Sequence, residues 1–125
     1  MAKSESIRIK RVYDPPSEDD GMRILVDRLW PRGLKKSGSH IDYWAKDLAP
    51  TTLLRKWFNH EEDKFNEFRF SYLEELSAKQ EIVRKIFEKA DNRTITLLFS
   101  ASDRLHNQAV VLQDFLDNCI SIGKT

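Results

Sequence analysis

A single cysteine, Cys119, leaves no intramolecular disulfide to form, and four glycines with four prolines are too few for a low-complexity chain. Nowhere does an apolar run approach the ~18 residues that a helix needs to cross a bilayer. The opening Met1-Ala2-Lys3-Ser4-Glu5-Ser6 lacks the apolar centre of a signal peptide, so a cytoplasmic location is expected. An excess of one charge is also missing. Lys and Arg number 21 against 20 Asp and Glu, a balance of +1 that provides no global field toward nucleic acid or an anionic membrane. Both partners are disfavoured on that ground, and any positive patch must be local. Internal repeats, phosphate-cradling glycine loops and a Gly-x-Ser-x-Gly elbow are absent too. His40, His60 and His106 show no ligand spacing, so neither a metal nor a cofactor is expected.

What is present is an ordinary globular composition, 40% hydrophobic and 33% charged, in 125 residues. That length suits one domain, 1–125, able to bury a core without a staple. Ile7, Ile9 and Tyr13 alternate with basic residues until Asp14-Pro15-Pro16 ends them, which predicts a first strand near a sheet edge. Ser17 to Gly21 reads as a solvated acidic turn. A second strand, about Met22 to Leu29, contains Ile24-Leu25-Val26 without alternation and is expected to be central and buried on both faces. Pro31 ends it, a basic loop follows through Gly38, and Ile41 to Trp44 reads as a short strand or an irregular packed segment.

Thr51 or Thr52 can cap a short helix holding Leu53, Leu54 and Trp57. Asn59-x-x-Glu62 has the form of a capping box for a longer helix, whose Phe65, Phe68, Tyr72 and Leu76 share one face. Ile82, Val83, Ile86, Phe87 and Ala90 make a similar stripe in the next helix. Thr94 to Phe99 is β-branched and apolar and precedes a final helix that Ser102 or Asp103 can cap, with Leu105, Ala109, Leu112, Leu116 and Cys119 on its packed face. A packed thiol behaves as a small hydrophobe, so Cys119 is set aside as a nucleophile. The expected fold is α/β, in two or three layers, with a parallel or mixed sheet of roughly three to four strands and about four helices. The short link from Asp14 to Gly21 suits a hairpin, and parallel pairing of the first strand is equally open.

In such sheets ligands bind beyond the carboxyl ends of the strands. That rule gathers Tyr13 and Asp14, then Asp27, Arg28, Trp30 and Arg32, then Ser100, Ser102, Asp103, Arg104, His106 and Asn107 into one rim. Asp27 and Arg28 point to opposite faces unless the strand has already broken. Arginine forks and the start of the last helix favour an anion. The alternative is a structural network in which Asp14, Asp27 and Asp103 pair with Arg28, Arg32 and Arg104. His106, expected in the first turn of the last helix, is the candidate proton carrier, with Asn107 beside it.

The motifs Val26-Asp27-Arg28-Leu29-Trp30-Pro31-Arg32-Gly33, Asp47-Leu48-Ala49-Pro50, Leu54-Arg55-Lys56-Trp57-Phe58-x-His60, Tyr72-x-x-Glu75-Leu76 and His106-Asn107-Gln108-Ala109 resemble the YeaO-like branch of a large bacterial and archaeal family of unknown function. The resemblance covers nearly the whole chain and implies an α/β fold without an established activity. A sibling branch looks to carry a Cys-His-Arg triplet at the final helix, where this chain has Leu105 and Asn107 in place of the cysteine and arginine. Thiol chemistry is therefore not expected here. Some members are labelled transcription regulators, but no helix-turn-helix pattern or basic recognition helix accompanies them in this sequence.

Two functions follow as expectations. The first is a pocket for a small anionic ligand, such as a nucleotide or phosphorylated metabolite, with Arg28 and Arg32 on the anion, Trp30 or Tyr13 against an apolar part, and His106 with Asn107 orienting it or moving a proton. The second is a protein- or nucleic-acid-interaction module without catalysis, using Trp30, Trp44, Trp57 and the basic stretch Arg32 to Lys36. A homo-oligomer is compatible with either.

Overall fold

Four short segments supply the sheet among the described residues. In the computed structural model, which describes residues 7–123, these are β1 (Ile7–Arg11), β2 (Met22–Leu25), β3 (Tyr43–Trp44) and β4 (Ile95–Phe99). They pair in the order β1-β4-β2-β3, every pair parallel. Ile7 stands opposite Ile95 and Arg11 opposite Phe99 on one side of β4, and Met22 opposite Ile95 and Leu25 opposite Leu98 on the other. The first strand is thus an edge, and it runs parallel to β4 rather than forming a hairpin with β2. Both β2 and β4 are buried along their whole length, Arg23 and Thr96 included, as central strands covered on both faces are.

Side chains alternate across the sheet, and each face has its own cover. Ile7, Met22, Ile24, Ile95, Leu97 and Phe99 face one continuous core shared with four helices: α1 (Thr52–Phe58), α2 (Phe65–Ser77), α3 (Gln80–Ala90) and α4 (Gln108–Gly123). From them come Phe58, then Phe68, Tyr72 and Leu76, then Val83, Ile86 and Ala90, then Ala109, Leu112 and Leu116, largely the expected stripes. The other face carries Leu25 and Leu98, with Val12, under Trp30, Leu34 and Ile41 from the loops and Trp44 from β3. Among the described residues the helices occupy one face. None among the described residues is long and apolar enough to cross a membrane.

The acidic turn departs from expectation. Glu18–Asp20 forms a 3-10 turn capped by Ser17, and Asp20 is fully buried, 2.5 Å from Arg23 and 3.0 Å from Lys10. A carboxylate that gains two cations and the Ser17 N–H can leave water. Gly21 follows at φ +64°, where a Cβ would sit 2.1 Å from the Thr94 carbonyl oxygen, so the close approach of the two segments requires glycine.

Element boundaries differ as well. The second strand stops at Leu25, short of the expected Leu29. Asn59 does not open α2; it closes α1 in the left-handed conformation, and α2 begins at Phe65 after a 3-10 turn over Glu62–Lys64. In α1 the buried residue is Phe58, while Leu53 and Trp57 are exposed. The last helix starts at Gln108, so Leu105 lies before it, 72% exposed, and off the packed stripe.

Candidate functional site

Val26 still joins the helix-side core, opposite Leu25, but beyond it the chain has left β2, and both Asp27 and Arg28 reach one cavity of about 280 Å³ beyond the carboxyl ends of β2 and β4. Asp27 is 9% exposed and ties three segments together. Its carboxylate accepts from the Ser100 N–H at 3.1 Å, the Ser100 hydroxyl at 2.5 Å and the Gln108 side-chain amide at 2.5 Å. Burial pushes the Asp27 pKa up, an effect larger than the opposing pull of the Ser100 and Gln108 bonds. Its carbonyl accepts from the Trp44 indole at 2.7 Å.

Arg28 has a different task. Nε donates to the Pro50 carbonyl at 2.8 Å and Nη2 to that of Ala49 at 3.2 Å, which fastens the segment leading into α1. The Tyr72 hydroxyl donates to the Leu48 carbonyl at 2.5 Å, and the Thr51 N–H and hydroxyl donate to Glu75 at 3.0 and 2.7 Å. These bonds set α1 across the strand ends. Arg55 on α1 thereby lines the cavity, and its Nε is one of two buried side-chain polar atoms without a partner among the described residues. Asn59 and His60 follow, both left-handed at φ 48° and 57°, and His60 joins the rim.

Among the described residues none of Arg28, Arg32 and Arg55 forms an ion pair, and Asp27 is the only carboxylate in the lining. The remaining wall is apolar, with Leu29, Trp30, Pro50, Phe58 and Phe68. Trp30 packs edge-on against Trp44 at 5.4 Å and donates to the Leu34 carbonyl at 2.7 Å, so its ring is held in place.

Of the residues singled out from the sequence, Asp27, Arg28, Trp30, Arg32 and Ser100 come together here. Tyr13, Ser102, His106 and Asn107 lie outside the lining. The Tyr13 hydroxyl donates to the Arg32 carbonyl at 2.9 Å, bracing the loop from outside. Ser102 is exposed. Asn107 is buried and caps α4, accepting from the Val110 N–H at 3.1 Å and donating to the Asp103 carbonyl at 2.9 Å. Neither Ser102 nor Asp103 is the cap: Asp103 instead accepts from the N–H groups of Leu105 and His106 in the turn before the helix, and the Leu105 bond leads in holding its pKa down.

His106 therefore precedes the helix. Its ring lies 3.0 Å from Asp103 and 3.8 Å from Glu62, and stands edge-on to Phe65 at 5.2 Å. Glu62, Asp103 and His106 each bring one potential ligand atom within 4.8 Å of the others, a grouping that these pairings already explain. Of the expected Asp–Arg pairs only Asp14–Arg104 is made, bidentate at 2.9 Å, and the Arg104 bond is the main reason the Asp14 pKa falls to about 2.

Arg55, His60 and Gln108 were not singled out from the sequence as site residues. Their signal lay in the motifs Leu54 to His60 and His106 to Ala109, which local patterning assigns to helices and gives no direction.

A family model described as the inactive DUF488-N3 subclade matches residues 6–122. The chain is 45% identical over 111 residues to the uncharacterized protein YeaO of Escherichia coli, covering 89% of this chain and 96% of that one. Uncharacterized proteins of Mycobacterium bovis and Mycobacterium tuberculosis are 35% identical over 119 residues, 94% of this chain and 98% of theirs. No solved structure matches.

Proposed function

The chain belongs to the inactive DUF488-N3 subclade, and on that premise we propose that it binds a small anionic ligand, such as a nucleotide or phosphorylated metabolite, at the carboxyl edge of the sheet, without catalysis. The supporting observation is that Arg28, Arg32 and Arg55 share one cavity with no ion-pair partner among the described residues. A guanidinium held without a carboxylate is ready to take an anionic partner from a ligand. A purely structural network would have spent Asp27 on these arginines, whereas Asp27 is occupied by Ser100 and Gln108.

The subclade is described as inactive. Leu105 is exposed and Asn107 is committed to its cap, at the two positions where the sibling branch looks to carry a cysteine and an arginine. Burial pushes the Cys119 thiol up, and the Ser100 hydroxyl donates to a carboxylate rather than being activated by a basic nitrogen. The interaction module draws less support. Trp30 and Trp44 spend their indole N–H groups on backbone carbonyls and their rings on each other, leaving Trp57 as the exposed tryptophan.

A thermal-shift screen of nucleotides and phosphorylated metabolites tests the proposal. A ligand at 100 times its Kd adds about 2.7 kcal/mol, which raises Tm by roughly 8–13 °C at this chain length. The shift should vanish in Arg28→Ala and Arg55→Met. No shift across the set, or one that both variants retain, refutes it.

A further inference from the structure

The cavity holds more information than the sign of its ligand. Three guanidinium groups against one carboxylate leave a formal excess of two positive charges in the lining. A monoanion would leave part of that excess uncompensated beside a partly dry wall; a dianion balances it.

The three cations also come from separate places. Arg28 and Arg32 stand in the loop after β2 and Arg55 on α1. Arg28 has Nε and Nη2 committed to carbonyls, so it can offer a ligand only part of its fork, and Arg55 has a buried Nε to satisfy. A planar carboxylate presents two oxygens in one plane, whereas a phosphoryl group presents three acceptor oxygens in three directions. The donor set fits the second shape. Leu29, Trp30, Phe58 and Phe68 line the same space, an apolar surface that an inorganic ion would not use. At about 280 Å³ the cavity lies just below the ~300–1,000 Å³ of most small-molecule sites, which limits the apolar part to something compact.

We infer that the ligand is a dianionic phosphate monoester carrying a single flat apolar ring, its phosphoryl group shared by Arg28, Arg32 and Arg55 and its ring against Trp30 and the phenylalanines. The inference rests on the anion-binding reading and narrows it to one chemical class.

Calorimetric titration at about pH 7.5 with phenyl phosphate, phenyl sulfate and inorganic phosphate separates the parts. The phosphate ester is a dianion there, its second pKa being near 6, and the sulfate ester has the same shape with one charge. Phenyl phosphate should bind at least tenfold more tightly than either of the others, a difference of about 1.4 kcal/mol. Equal affinity for phenyl sulfate overturns the dianion while leaving an anion site. Equal affinity for inorganic phosphate overturns the ring. Failure of all three at millimolar concentration, together with an empty metabolite screen, overturns the anion site itself.

Because Arg28 also holds Ala49 and Pro50, the variants for this test are Arg32→Ala and Arg55→Met. Arg32 is exposed, with no side-chain hydrogen bond or ion pair among the described residues, so its loss leaves the fold intact. Each should weaken phenyl phosphate binding about tenfold and phenyl sulfate binding less. Unchanged phenyl phosphate affinity in both removes the shared-phosphoryl arrangement.

Discussion

Replacing Asp20 by Asn should destabilise the protein by about 3 kcal/mol at neutral pH, although the residue sits in a run of acids that composition assigns to the surface. Asparagine keeps the shape and an acceptor for the Ser17 N–H but removes the charge that faces Arg23 at 2.5 Å and Lys10 at 3.0 Å. Arg23 is 4% exposed. Removing one partner of a buried pair costs roughly 3–5 kcal/mol because the other charge is left uncompensated. The lower end applies here, since Arg23 still donates to the carbonyls of His40 at 2.8 Å and Ser39 at 3.4 Å. At about 3–5 °C per kcal/mol for a chain of this size, Tm should fall by roughly 9–15 °C. The pH dependence gives a second reading. Desolvation pulls the Asp20 pKa upward, but the bonds from Lys10, the Ser17 N–H and Arg23 outweigh it and hold the group below its ordinary value. A depressed folded pKa contributes stability above the unfolded value of about 3.9 and loses it as pH falls through the folded value. The gap between wild type and variant should therefore be complete near neutrality and close in acid below about pH 4. Urea unfolding at a series of pH values measures it. A loss under ~1 kcal/mol at neutral pH, or a gap unchanged into acid, would refute the reasoning.

Gly21→Ala forces a Cβ against the Thr94 carbonyl at φ +64° and should cost at least ~2 kcal/mol; thermal unfolding within a degree of wild type would mean that the segment moves aside freely. Asn107→Ala removes the cap of α4 and should cost about 1–2 kcal/mol in urea unfolding, and a neutral result would make the Val110 bond dispensable. Asp27→Asn removes the only carboxylate that the described residues bring to the cavity lining and should tighten phenyl phosphate binding several-fold at about pH 8. Since burial raises the Asp27 pKa, the advantage should shrink as pH falls through that raised value and wild-type Asp27 becomes neutral; calorimetry giving no gain at the higher pH counts against the site.

Where a feature depends on neighbours in sequence, it was legible. Ile24-Leu25-Val26 announces a doubly buried strand because nothing polar interrupts it, and Phe68, Tyr72 and Leu76 announce a helix face by their spacing. Boundaries were less legible because the residues that mark them serve two purposes. Asn59 suits an N-cap through its side-chain oxygen and a C-cap through its tolerance of the left-handed region, and the chain uses the second. Asp103 and Asn107 are both competent caps four residues apart; α4 takes Asn107, which leaves Leu105 in a turn, exposed. Asp20 was illegible for another reason. A carboxylate becomes buriable only when cations from β1 and β2 converge on it, and that convergence belongs to the fold rather than to any window of sequence.

The site divides along the same line. Asp27, Arg28, Trp30, Arg32 and Ser100 were reachable because strand ends gather ligands, but Arg55 enters from α1, whose placement depends on bonds made far away in sequence. One of those bonds belongs to Arg28. Its fork faces the cavity and also holds the Ala49 and Pro50 carbonyls, the segment that carries α1 and therefore Arg55. Arg28 and Arg32 each contribute one charge, yet they are not equivalent. Loss of Arg32 removes a charge and nothing else that positions the site. Loss of Arg28 removes a charge and frees two buried carbonyls, so α1 can shift and take the second cation with it. A misplacement of about 1 Å is enough to weaken a preorganised site severely. Phenyl phosphate affinity should accordingly fall at least tenfold further in Arg28→Ala than in Arg32→Ala, with added loss of thermal stability only in the former. Equal losses in both would mean that charge alone governs the cavity and that the strut through Pro50 does not position Arg55.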